Sequence, residues 1–78
     1  MATLRLFAQA REIAQGTSFV IEGESVGAVI TAACERFGPE FVDVLDHSRI
    51  WLNGDECQPS DRVSPTDEIA VLPPVSGG

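Results

Sequence analysis

The stretch Val26-Gly27-Ala28-Val29-Ile30-Thr31-Ala32-Ala33-Cys34-Glu35-Arg36-Phe37 constrains the fold more than any other part of the chain. Its apolar Val26, Val29/Ile30, Ala33 and Phe37 recur at helical spacing, and Ser25 stands where an N-cap belongs. Gly38 and Pro39 stop the helix, as a C′ glycine followed by a helix breaker. A shorter helical turn is expected over residues 40–45. With one main helix in 78 residues, the remaining apolar residues must supply a sheet for that helix to cover. A chain this short buries only about 60% of its unfolded surface, which predicts one domain and no deep private cavity.

Short segments of period two supply that sheet. Thr3-Leu4-Arg5-Leu6-Phe7-Ala8 alternates, with Leu4, Leu6 and Ala8 on one face and Arg5 and Phe7 on the other. Alternation fails from Gln9 to Gly16 and resumes at Ser18-Phe19-Val20-Ile21, which predicts a strand pair joined by a loop of about seven residues. Ser48 to Leu52 reads as a strand with Ile50 and Leu52 on one face. Asn53-Gly54 is a strong hairpin signal, because both residues tolerate positive φ, and residues 55–58 form the short return leg. Ser64-Pro65-Thr66-Asp67 has turn chemistry, and Ile69-Ala70-Val71-Leu72 is the last strand. The expected fold is α+β, a mixed sheet with one main helix across one face.

Charge and composition exclude several classes of function. A net charge of −7 argues against nucleic acid, whose phosphates need clustered Lys and Arg, and leaves room for a basic protein partner. All five basic residues are Arg, so no ε-amine is present for a Schiff base or for an isopeptide bond to a second copy. No apolar run reaches the roughly 20 residues that cross a bilayer, and Met1-Ala2-Thr3-Leu4-Arg5 lacks a signal-peptide layout. A cytoplasmic location is expected, with no membrane association.

Catalytic constellations are weak throughout. Cys34 and Cys57 have neither CxxC spacing nor a His beside them, and two buried or half-buried thiols with no metal is the expectation. His47 lies in the polar connector Leu45-Asp46-His47-Ser48, and a solvated loop histidine has no triad partners. Glu22/Glu24 and Asp55/Glu56 read as solvated turn acids. The chemistry therefore moves to the tail. Pro73 and Pro74 hold the chain extended off the last strand, and Gly77-Gly78 carries no Cβ that would obstruct a narrow tunnel in another protein. Residues 1–72 are expected to form the domain and 73–78 an extended reactive tail. A terminal carboxylate resists attack until it becomes a mixed anhydride, so ATP-dependent adenylation by a partner is expected. On the domain, Phe7, Trp51 and Leu72 have the parity opposite to Leu6, Ile50 and Val71, which predicts an apolar patch on the sheet face away from the helix.

These residues resemble a known family. The opening Leu6-Phe7-Ala8-Gln9-Ala10-Arg11-Glu12 and the close from Asp67 through Pro73-Pro74-Val75-Ser76-Gly77-Gly78 are similar to the MoaD and ThiS group of ubiquitin-like sulfur carriers, and most to its molybdopterin synthase side. The resemblance implies a ubiquitin-like β-grasp. It implies that a ubiquitin-activating-type enzyme uses ATP to adenylate Gly78, and that sulfur from a persulfide displaces AMP. The Gly78 thiocarboxylate, with Gly77 in the reactive tail, then enters the large synthase subunit and donates sulfur to cyclic pyranopterin monophosphate. Catalytic side chains would sit on that partner, and no tightly bound cofactor is expected here. Phe7, Arg11 and Leu72 match interface positions of the family, and Trp51, Pro73 and Pro74 join the expected partner surface. The sequence departs from the family at Ser64-Pro65-Thr66-Asp67, commonly an Asp-Gly-Asp turn, and at Glu56, commonly apolar. A carrier for thiazole, cysteine or tRNA thiolation, or a ubiquitin-like modifier joined through Gly78 to lysines of other proteins, remain the alternatives.

Overall fold

The computed structural model describes residues 1–74. Its elements run β1 (Ala2–Leu6), α1 (Ala8–Ala14), β2 (Ser18–Ile21), α2 (Val26–Phe37), α3 (Pro39–Asp46), β3 (Arg49–Leu52), β4 (Asp55–Glu56) and β5 (Glu68–Leu72). The strands form one mixed sheet of order β2-β1-β5-β3-β4, in which β1 and β5 pair parallel and the other neighbours antiparallel.

Period two builds the core side of this sheet. Register pairs Leu4 with Ile69 and Leu6 with Val71, and continues to Leu52 and Ile50 on β3. Leu4, Leu6, Ile69 and Val71 are fully buried against Val26, Val29, Ala33, Ala10 and Phe41 of the helices. The helix α2 occupies the span its periodicity predicts, and the Ala28 N–H donates to Ser25 Oγ at 3.1 Å in the expected N-cap.

One residue ends α2 and begins α3. The Gly38 N–H donates to Cys34 O at 2.9 Å, its carbonyl accepts from the Phe41 N–H at 3.1 Å, and its φ of 92° is a conformation that favours glycine. Pro39 then stands in the first turn of α3, where its missing N–H costs nothing. Rings continue the junction into the core: Phe19 meets Phe37 edge-on and Phe37 meets Phe41, each pair with centroids 5.0 Å apart.

Two expectations are corrected. Residues 9–16 are not a loop, because Ala8–Ala14 form the helix α1, with Ala10 buried and Ile13 and Ala14 packed against the core. Ala, Gln, Arg and Glu are all good helix formers, and positions 10, 13 and 14 have the spacing of one helical face. Ala8 does not share the face of Leu4 and Leu6; it is exposed, and its φ of 51° reverses the chain out of β1. The layer over the sheet thus holds three helices among the described residues rather than one main helix and a turn.

The predicted hairpin at Asn53-Gly54 has positive φ at both residues, 52° and 85°. Asn53 also ties this turn to the start of β5: its Nδ2 donates to Asp67 Oδ1 at 3.0 Å, and its Oδ1 accepts from the Glu68 N–H at 2.9 Å. Asp67 Oδ2 accepts from the Ser64 N–H at 2.8 Å. That backbone bond, then the Asn53 amide, holds the Asp67 carboxyl below the ordinary aspartate value. A depressed folded pKa contributes stability above the unfolded value, which is lost as pH falls through the folded one. Between roughly pH 5 and pH 3, thermal melts of the native protein should fall further than those of Asp67→Asn. Equal falls in the two proteins would contradict the role given to this carboxylate.

Candidate functional site

The sheet face away from the helices is open. Arg5, Ala70 and Trp51 lie side by side across it, since Arg5 pairs with Ala70 and Trp51 pairs with Ala70. The next row toward the end of β5 holds Leu72 beside Arg49, and Phe7 follows β1 there. Phe7 is 37% exposed and has the Arg5 guanidinium 5.8 Å from its ring centroid, which puts it on the same face as Arg5. Trp51 and Leu72 are half-buried, and small Ala70 leaves a shallow floor between larger neighbours. Val20 of β2, which sequence reasoning did not single out, adds to this face at 63% exposure; the alternation of β2 was the available signal.

Charges frame the patch. Arg5 approaches Glu68 at 3.7 Å and Arg49 approaches Glu56 at 4.0 Å, both pairs at the solvated surface, where such contacts contribute little stability and mainly set which partner charges are welcome. Glu56 stands on β4 and not in a turn.

The parallel pairing of Leu6 with Val71 brings the end of β1 and the end of β5 to one end of the sheet. Phe7, Leu72, Pro73 and Pro74 therefore gather at that end, where the described residues stop, with the exposed Arg11 on α1 immediately after β1. Pro73 is buried and continues the inward alternation of Ile69 and Val71, while Pro74 is exposed. The reactive positions named in the tail, Gly77 and Gly78, lie outside the described residues.

Nothing on the domain itself forms a nucleophile with its base. The thiols of Cys34 and Cys57 are pushed up, first by burial and then by Asp46 and Asp61 respectively, so both stay protonated and unreactive near neutrality. Cys57 Sγ donates to Ile50 O at 3.5 Å. His47 caps α3 with Nδ1 3.1 Å from Asp43 O and is exposed. Among the described residues no three His, Cys, Asp or Glu side chains cluster as metal ligands would, and no helix is long and apolar enough to cross a membrane. The arrangement can present a docking face beside Pro73 and Pro74.

The ThiS family profile matches residues 4–78. The molybdopterin synthase sulfur carrier subunit of Aedes aegypti is 42% identical over 59 residues, covering 69% of this chain and 57% of that protein, so the match spans little more than half of that relative's length. The solution structure of small archaeal modifier protein 1 from Methanosarcina acetivorans is similar with a TM-score of 0.84 at 26% identity, over 99% of this chain and 95% of that one. The crystal structure of the protein of the same name from Haloferax volcanii gives 0.79 at 26% identity, over 99% and 98%. These likenesses identify the architecture as the ubiquitin-like β-grasp.

Proposed function

We propose, from the premise that this chain belongs to the ThiS family of ubiquitin-like sulfur carriers, that it is the sulfur-donating small subunit of a molybdopterin synthase. The observation that carries this reading is the grouping of Phe7, Trp51 and Leu72 on an open sheet face beside Pro73 and Pro74. The Aedes aegypti relative, a subunit by name, supports a partner enzyme of the same kind.

In this account the domain docks and the tail reacts. The Gly78 carboxylate attacks the α-phosphate of ATP on an activating enzyme, forming an acyl adenylate and releasing pyrophosphate. A persulfide sulfur then attacks the acyl carbon and AMP leaves, giving an acyl disulfide. A second thiol attacks the donor's sulfur, forms a disulfide with it and releases Gly78 as the thiocarboxylate. In the large subunit the thiocarboxylate sulfur bonds to a carbon of cyclic pyranopterin monophosphate in place of an oxygen substituent. Water cleaves the acyl–sulfur bond and returns Gly78 to a carboxylate, and a second loaded chain supplies the other sulfur of the dithiolene. The chain lends no catalytic side chain to these steps; it supplies position, and Gly77 supplies a backbone without a Cβ where a tunnel must close on it.

The test is reconstitution. Chain bearing a Gly78 thiocarboxylate, mixed with the large subunit alone, is expected to convert the pterin precursor to its dithiolene. Failure with a correctly loaded chain would contradict the molybdopterin assignment. Docking is tested separately by Phe7→Ala and Leu72→Ala, each expected to weaken binding to the large subunit about thirtyfold, as apolar anchors near an interface centre do. Circular dichroism controls for folding, and unchanged affinity would move the interface elsewhere.

A second reading has a specific observation behind it. Two structures at 26% identity are named as modifier proteins, which favours conjugation of Gly78 to lysines of other proteins. Conjugation ends in an amide and sulfur donation in a free carboxylate, so isopeptide remnants of Gly78 in cell extracts distinguish the two.

A further inference from the structure

The two edges of the sheet are protected unequally. The β4 edge is two residues long and both are acids, a usual defence against unwanted strand pairing. The β2 edge, Ser18-Phe19-Val20-Ile21, has no charge, no proline and no bulge, and no strand or helix pairs with it on its outer side among the described residues. Its unused hydrogen-bonding groups follow from the register. The Leu6 N–H donates to Thr17 O at 2.9 Å, so the hydrogen-bonded positions of the β1–β2 pair are Thr17, Phe19 and Ile21. The N–H and C=O of Ser18 and Val20 therefore point outward.

A groove of about 370 Å³ runs along this edge, lined by Val20, Ile21, Glu22, Ala32, Glu35 and Arg36. Ile21 and Ala32 give it an apolar floor. Arg36 is turned onto aromatic rings, its guanidinium 5.1 Å from the Phe19 centroid and 5.4 Å from that of Phe37, while Glu22 and Glu35 have no ion pair among the described residues. The groove thus joins outward backbone groups, an apolar floor, two carboxylates without an ion pair among the described residues and one guanidinium held on aromatic rings.

We infer that the β2 edge takes an extended segment of a partner protein as an added strand, with a branched apolar side chain on the Ile21–Ala32 floor and Lys or Arg reaching Glu22 and Glu35. Strand addition supplies affinity through main-chain hydrogen bonds and selectivity through alternate side chains. A second copy of this chain fits poorly: pairing β2 with β2 would bring two sets of Glu22 and Glu35 together between molecules that each carry −7. The site is separate from the tail, since β1 lies between β2 and β5. It therefore stands or falls independently of the sulfur chemistry.

The probe is a blocked peptide alternating Val and Lys, compared with one alternating Val and Glu, each titrated into the whole chain with amide NMR. The Val-Lys peptide is expected to shift the β2 amides and slow exchange at Ser18 and Val20, and the Val-Glu peptide to bind more weakly. Val20→Pro deletes an outward donor while leaving the β1 ladder intact, and should weaken binding about tenfold. Glu35→Gln, on the exposed face of α2, should weaken it about two- to fivefold with the fold untouched. Shifts confined to the Phe7, Trp51 and Leu72 face, no shifts at all, or equal response to both peptides would overturn the inference. Concentration-dependent β2 shifts without peptide would assign the edge to a second copy and overturn it as well.

Discussion

Deleting Gly78 is expected to abolish sulfur transfer while the melting temperature stays within about 2 °C of the native value. Activity and folding separate here because they depend on different parts of the chain. Among the described residues the chain's end contributes Ile69, Val71 and Pro73 to the core, and Gly78 has no side chain to bury. Transfer, by contrast, needs a carboxyl carbon at one distance from the docking face, and removing one residue shortens the tail by about 3.5 Å. A misplacement of that size takes the reacting carbon out of attack range in a partner site built for the full tail. The measurement is single-turnover sulfur transfer alongside a thermal melt. Retained transfer, or a parallel loss of stability and transfer, would contradict the division between domain and tail.

The second large effect is on the fold. Phe41→Ala is expected to cost about 3–5 kcal/mol, as emptying a large aromatic site in a packed core does. Against a total of roughly 5–10 kcal/mol for a domain of this size, that leaves a protein close to unfolding, with its midpoint lowered by about 15–30 °C. Phe41 has this weight because it is fully buried and is the inner end of the ring series Phe19–Phe37–Phe41, which joins the edge strand to α2 and α3. Phe41→Leu, keeping most of the apolar volume, should lose clearly less. Similar losses for the two variants would show that the site collapses around the missing ring.

What could be read in advance follows from periodicity. Leu4, Leu6, Ile69 and Val71 alternate with polar or small residues, and a strand's period of two puts them on one face whatever their neighbours. The span of α2 was legible because Ser25 and Gly38-Pro39 mark both ends. Parity also put Phe7, Trp51 and Leu72 on the opposite face, where the register has Trp51 and Leu72 and the Arg5 guanidinium meets the Phe7 ring. Ala8–Ala14 escaped because seven residues hold fewer than two full turns, and three alanines carry a weak hydrophobic signal despite their high helix propensity. With α1 unseen, Arg11 had no element to position it. Phe41 looked like part of a marginal turn, since its burial comes from Phe37 and from the packing of α3 against α1, which local sequence does not encode. The β2 edge was invisible for a related reason: which strand lies outermost is a property of sheet order, not of the strand.

The central claim is that Gly78 carries sulfur, and the intact mass of the chain tests it most directly. After incubation with a ubiquitin-activating-type enzyme, ATP, a persulfide donor and a reducing thiol, the chain should gain the mass difference between sulfur and oxygen, and fragmentation should put the change on Gly78. Adding the large subunit and the pterin precursor should return the mass to that of the free carboxylate. A mass that stays unchanged through activation, or a chain recovered as an amide to lysines of other proteins, would contradict the account.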